Sequence, residues 1–162
     1  MSNLKFYTKH WEQDNPAFER VLRALPADKL DYKPHERSSS AGDIAWQIAE
    51  ELRSLSDLIE TGVVDWQTNR RPSTLDEIIA AHEANASRHR GLLASTDDAK
   101  WSGEGRMLYQ GQEVMKSTVG DICWSFFLDA IHHRGQLSAY IRPMGGKVPS
   151  IYGPSADDSG GM

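Results

Sequence analysis

Three times in this chain a hydroxyl residue stands three positions ahead of a carboxylate, directly before apolar residues at helical spacing: Ser40 with Asp43, Thr74 with Glu77, and Thr118 with Asp121. In that arrangement the hydroxyl accepts from the backbone N–H three residues on, and the carboxylate can reach back to the first residue's own N–H. Two donors that a helix start leaves orphaned are then satisfied reciprocally. One such match is common by chance. Three, each opening an amphipathic run, fix three helix starts. The second helix of the chain carries Ile44, Ile48, Leu52, Leu55 and Ile59 on one stripe and ends at Thr61-Gly62. The third runs from Leu75 to about Leu93, and the fourth from Val119 to about Met144, closed by Gly145-Gly146. That last helix is roughly 39 Å long at about 1.5 Å per residue. A first helix is predicted from about His10 to Leu25 on the spacing of Trp11, Phe18, Val21, Leu22 and Leu25. Pro16 falls near its start or at an internal turn, and Pro26 stops it.

Four amphipathic helices without a strong strand pattern predict an all-α four-helix bundle forming a single domain over residues 1–162. The stretch Trp101–Lys116 is too long for a simple antiparallel connection, so a long crossover is expected between helices three and four, and a topology other than up-down-up-down. Leu108-Tyr109 and Glu113-Val114-Met115 flank Gly111, which places a short hairpin in that crossover. The tail, residues 147–162, offers Val148, Ile151 and Tyr152 for docking and is expected to fray at Asp157-Asp158-Ser159-Gly160-Gly161. With 39% hydrophobic and 25% charged residues the chain can bury a substantial core. Its net charge of −5 opposes non-specific attraction to nucleic acid or to an anionic membrane. No stretch approaches the roughly 20 apolar residues of a membrane span, and no apolar leader opens the chain, so a cytoplasmic location is expected.

The informative residues interrupt the apolar stripes. On the last helix, Val119, Cys123, Phe126, Ala130, Leu137, Ile141 and Met144 define the inward face; His133 falls close to its centre and His132 points away. Asp129, four residues before His133, shares its face one turn below, and Gln136 follows at the next turn. Such a pair is either a buried hydrogen bond between two core polar groups or two ligands converging on one metal ion. Helix two offers Gln47 at the flank of its stripe with Glu51 one turn on. Helix three carries His82, Asn85 and His89 on its apolar stripe. The two histidines are roughly 10 Å apart along the axis, too far to chelate one ion together, and read best as core histidines, either of which could line a pocket or transfer a proton. Cys123 lies roughly 15 Å from His133 along one helix, so they form no Cys–His pair, and a structural thiol is expected. Trp46, Trp66, Trp101 and Trp124 have no basic groove beside them and read as packing or subunit-contact residues. No phosphate-binding loop or dinucleotide fingerprint is present, and no organic cofactor is implied.

The run Asp129-Ala130-Ile131-His132-His133-Arg134-Gly135-Gln136-Leu137 resembles the last-helix signature of the DinB-like (DinB/YfiT) superfamily. The tail from Val148 to Asp157 and the lead-in Tyr32-Lys33-Pro34-His35 with Ser40–Ile48 are similar to the same family. The resemblance implies a four-helix bundle with a long crossover, often homodimeric. It also implies a pocket for a divalent metal, commonly nickel or zinc, held by three histidines. Some relatives are metal-dependent transferases or isomerases that use small cytoplasmic thiols. By position the three ligand places fall on Gln47, Asp129 and His133, and only the last keeps a histidine. Oxygen donors in place of two imidazoles tilt preference toward harder ions such as manganese or iron. Glu51 and His82 are the expected pocket-lining residues, His82 being the one to watch as a substitute ligand.

Two functions follow from this reading. One is a metal-dependent enzyme of the thiol-transferase or hydrolase type, with a small thiol or other small molecule as its ligand. The other is a non-catalytic bundle with a degenerate metal site, serving as a small-ligand binder or dimeric interaction module. Neither involves nucleic acid or membrane as a partner.

Overall fold

All three cap signatures open helices. In the computed structural model, which describes residues 1–67 and 69–160, Ser40 Oγ accepts from Asp43 N at 3.2 Å, Thr74 Oγ1 from Glu77 N at 3.3 Å, and Thr118 Oγ1 from Asp121 N at 3.0 Å. The helices that follow are α2 (Ala41–Thr61), α3 (Leu75–Ser95) and α5 (Val119–Ile141). Only Thr74–Glu77 closes reciprocally, Thr74 N donating to Glu77 Oε2 at 3.1 Å. Asp43 instead accepts from the Ser40 hydroxyl at 2.6 Å, and Asp121 from that of Ser117 at 2.8 Å.

Helix α1 (Asn3–Arg23) starts well before His10, capped by Ser2, whose hydroxyl accepts from Lys5 N at 3.4 Å. Leu4 and Tyr7 are buried together with Trp11 and Phe18. The apolar stripe therefore continues toward the N-terminus, and burial of those two extra turns outweighs the backbone donor that Pro16 removes from inside the helix. Helix α5 stops at Ile141 instead of Met144, although Met144 stays buried in the turn beyond it.

The molecule is not purely α-helical. A three-stranded sheet in the order β1-β2-β3 is built from β1 (Val63–Trp66), β2 (Glu104–Tyr109) and β3 (Gln112–Thr118). The expected hairpin is β2–β3, turned at Gln110 and Gly111, both of positive φ (51° and 75°), the geometry a two-residue hairpin loop prefers. The strand that went unread is β1. It leaves α2 through Gly62, whose φ of 77° is left-handed, and pairs in parallel with β2, Val63 opposite Arg106. Four residues are too few to show an alternating pattern, and the partner lies in the crossover, far along the chain. The crossover also holds a one-turn helix, α4 (Asp98–Trp101), capped by Asp97.

The long helices form a ring in which α2 packs on α3 and α5, and α1 on α5 and α3, with the sheet laid against α2 and α5. The last helix thus lies between the first two, which is why the connection from α3 has to be long. The tail does not fray as far as Gly160. Asp157 accepts from Val148 N at 3.0 Å and Arg142 Nε at 2.8 Å, and Asp158 accepts from Ser150 N at 2.8 Å; Gly161 lies outside the described residues. Tyr152 of the tail donates to Asp14 Oδ2 at 2.7 Å and contacts Arg134, which is wholly buried with its guanidinium 4.5 Å from the Phe18 ring centroid. Among the described residues no helix is long and apolar enough to cross a membrane.

Candidate metal centre

The α2–α5 contact brings two pairs of side chains, each pair one helical turn apart, to a common point. From α2 come Gln47 and Glu51; from α5 come Asp129 and His133. His133 Nε2 lies 2.7 Å from Gln47 Nε2, 3.4 Å from Asp129 Oδ2 and 3.6 Å from Glu51 Oε1. The Gln47 amide nitrogen also donates to Glu51 Oε1 at 2.9 Å. One donor atom from each of Glu51, Asp129 and His133 lies within 4.8 Å of the other two.

The far side of the imidazole fixes its tautomer. His133 Nδ1 is 2.8 Å from Gln136 Oε1, which can only accept, so the proton sits on Nδ1 and the Nε2 lone pair faces the cluster. This is the arrangement of a histidine ligand, whose second nitrogen is held by an outer partner. The Gln47 NH₂ group occupies the middle, donating to a lone pair on each side. In effect, its two hydrogens stand where positive charge is wanted.

Glu51 is the group most perturbed by this environment. It is 2% exposed, and burial pushes its carboxyl up to about 9. The neighbouring Asp129 charge, and the hydrogen bond Asp129 makes with it, act in the same direction, while the Gln47 hydrogen bond opposes them. A carboxylate in such a place needs a cation to ionise at neutral pH. Two carboxylates and a neutral imidazole are an ordinary donor set for zinc, manganese or iron, so the residues present fit a divalent ion.

The predicted trio of Gln47, Asp129 and His133 therefore does assemble. The structure adds Glu51 as a ligand candidate, and Gln47 presents its nitrogen, not the oxygen a ligand role would need. His82 does not join the cluster. It lines a small interior void of about 20 Å³ together with Glu51, Asn15 and Phe18. His82 Nδ1, Asn15 Oδ1 and Glu51 Oε2 are buried around that void without a protein partner among the described residues. Burial lowers His82 to about 4 and His89 to about 3, the latter with help from the Arg88 charge, so both are neutral core histidines. His89 meets the Tyr7 hydroxyl at 3.2 Å. Cys123 is likewise a core thiol, its pKa driven upward by burial.

On the solvent side the cluster opens into a recess of about 380 Å³ between α2, α5 and the sheet. Its walls are Trp66, Met107, Met115 and Phe126, and its rim includes Asp129, which is 54% exposed. The sequence reading missed this recess because its walls come from strands that pair only in the folded chain.

The sequence matches the family model described as the DinB family over residues 1–160. It is 23% identical over 155 residues to YrdA of Bacillus subtilis (strain 168), covering 96% of this chain and 91% of that protein. The fold is similar to that of a DinB-like protein from Bacillus cereus ATCC 10987, with a TM-score of 0.73 and 16% identity over 90% of this chain and 95% of that one. It is also similar to the mycothiol-dependent maleylpyruvate isomerase, with a TM-score of 0.52 and 14% identity over 88% of this chain but only 61% of that one. The match along almost the whole sequence, on a fold shared with a DinB-like structure, shows that the chain belongs to the DinB family.

Proposed function

We propose that this protein is a metal-dependent enzyme of the thiol-transferase or hydrolase type, its divalent ion held between α2 and α5 by His133, Asp129 and Glu51, with Gln47 beside them. The observation that carries this reading is the convergence of three lone-pair donors from two helices within 4.8 Å. A fold similar to that of a mycothiol-dependent isomerase supports the thiol-transfer side of it. Bound there, an ion would act as a Lewis acid and lower the pKa of a coordinated water or thiol.

The protein's own groups have separable tasks. Gln136 holds the His133 proton on Nδ1, so that Nε2 stays free to bind. The buried Glu51 carboxyl would ionise beside a bound cation, and the partly exposed Asp129 stands at the solvent rim of the cluster. Trp66, Met107, Met115 and Phe126 form an apolar wall beside the centre.

Nickel, zinc, manganese and iron are the ions to test, by metal analysis and titration of protein purified without an affinity tag. Binding near one equivalent, activity that tracks metal content, and loss of both in His133→Ala are expected. Full activity in chelator-treated protein would sink the reading. One observation favours a second function. The Gln47 amide already satisfies both His133 and Glu51, as it would in a bundle that had lost its ion and serves as a small-ligand binder or dimeric interaction module. Metal well below one equivalent, with a melting temperature indifferent to chelator, would select that alternative. The reading also gives the protein a small thiol or other small-molecule ligand and a homodimeric assembly. Light scattering tests the assembly directly, and a monomer removes it.

A further inference from the structure

The recess beside the cluster has a chemical character that the metal reading does not use. At about 380 Å³ it is within the size range of small-ligand pockets. One side is hydrocarbon and thioether. Trp66 packs against Phe126 with ring centroids 5.8 Å apart, and Met107 lies directly opposite Met115 across the β2–β3 pair. Methionine side chains are flexible and polarisable, so this wall can adapt to ligand shape.

The other side is Gln47, Glu51, Ser125 and Asp129, and among the described residues no lysine or arginine lines the recess. The adjoining groove, which shares Gln47 and Trp66, contributes Arg71. That guanidinium is already committed to Asp31 at 2.6 Å and Asp43 at 3.1 Å. An anionic ligand would find no counter-charge here, and it would meet the field of Asp129 and of a chain with net charge −5. A cationic ligand would find a solvent-accessible carboxylate beside an aromatic wall, and the carboxylate attracts it.

We propose that this recess binds a small apolar amine, its ammonium group directed to Asp129 and its hydrocarbon body against Trp66, Met107, Met115 and Phe126. The binding stands apart from the metal-enzyme reading, in which Asp129 serves the ion. The recess walls are protein side chains, so the ligand class can be measured on chelator-treated protein.

The test is calorimetric titration of the full chain with three probes of like shape: 2-phenylethylamine, 2-phenylethanol and 3-phenylpropanoate. The amine is expected to bind about tenfold more tightly than the alcohol, and the carboxylate not at all. Asp129→Asn should remove the amine's advantage over the alcohol while leaving alcohol binding intact. Trp66→Ala should weaken both amine and alcohol at least tenfold. Met115→Ala, at a more exposed position, provides a several-fold loss should the tryptophan variant fail to fold. Carboxylate binding equal to that of the amine, no binding by any probe, or wild-type affinity in Asp129→Asn and Met115→Ala would each overturn the proposal. Parallel zinc titration of the same sample keeps the two readings apart. Amine binding without zinc binding removes the metal enzyme and leaves the recess, and the reverse result does the opposite.

Discussion

Two sets of inward histidines in this bundle differ in what surrounds them. His133 on α5 is half-buried at the edge of the core, with Gln136 on one ring nitrogen and Gln47, Glu51 and Asp129 around the other. His82 on α3 is wholly buried, and its Nδ1 has no protein partner among the described residues. Both sit on apolar faces of long helices, and sequence periodicity treats them alike. The difference is in their neighbours. His133, at the solvent edge with two carboxylates near Nε2 and the Gln136 acceptor on Nδ1, is prepared for positive charge, whereas His82, closed off from solvent without a hydrogen-bond partner for Nδ1 among the described residues, is held neutral. What separates the two is access and partners: His133 meets two carboxylates at a solvent-open edge, and His82 does not.

The largest effect expected from this contrast is on acid stability. His82 falls from its ordinary 6.5 to about 4 in the folded protein because burial disfavours the charged form. A depressed folded value means that the unfolded chain takes the proton first. The stability is then fully present above pH 6.5 and is lost as pH falls through about 4. At about 1.4 kcal/mol per unit this amounts to roughly 3 kcal/mol for His82, and His89, lowered further, adds to it in the same direction. Urea midpoints measured between pH 7.5 and 4 should drop steeply for wild type and less steeply for His82→Leu. Parallel curves would show that burial is not controlling the core histidine.

Next in size is the metal-binding difference. His133→Ala should lower zinc or manganese affinity by about 100-fold or more, whereas His82→Leu should change it less than about twofold, as direct titration would show. Equal losses in the two variants would erase the contrast. Glu51→Gln separates the cluster from its occupant. It should weaken metal binding at least about tenfold, yet raise the stability of chelator-treated protein by roughly 1–3 kcal/mol, because a buried acid is exchanged for an amide. A drop in both quantities would mean that the Glu51 carboxyl stabilises the bundle without an ion. Smallest is Gln136→Ala. Freeing Nδ1 should cost His133 its fixed tautomer and about tenfold in metal affinity, with stability changed by about 1 kcal/mol at most.

Much of this was legible in the residues themselves. The cap pairs fixed where α2, α3 and α5 begin because capping involves only residues three apart. Helical spacing put His133 inward and His132 outward for the same local reason, and His132 is exposed. Tyr152 and Asp157 illustrate the opposite case. Their partners are Asp14 and Arg142, and nothing in the tail's own composition distinguishes a docked segment from a fraying one. Arg134 shows the same limit. An arginine on a helix is ordinarily solvated, and here it is wholly buried between α1 and the tail.

What the sequence determined alone is therefore whatever depends on near neighbours: four long helices, the hairpin turn at Gly111, and the pairing of Asp129 with His133 along one helix face. Tertiary structure decided the parallel strand β1, the recess it walls with β2 and β3, and the arrival of Glu51 and Gln47 at His133. Those contacts join elements far apart in the chain, and their free energy comes from burial and charge that exist only after the helices pack. Spacing along a helix can aim a side chain inward. Only packing sets what it meets there.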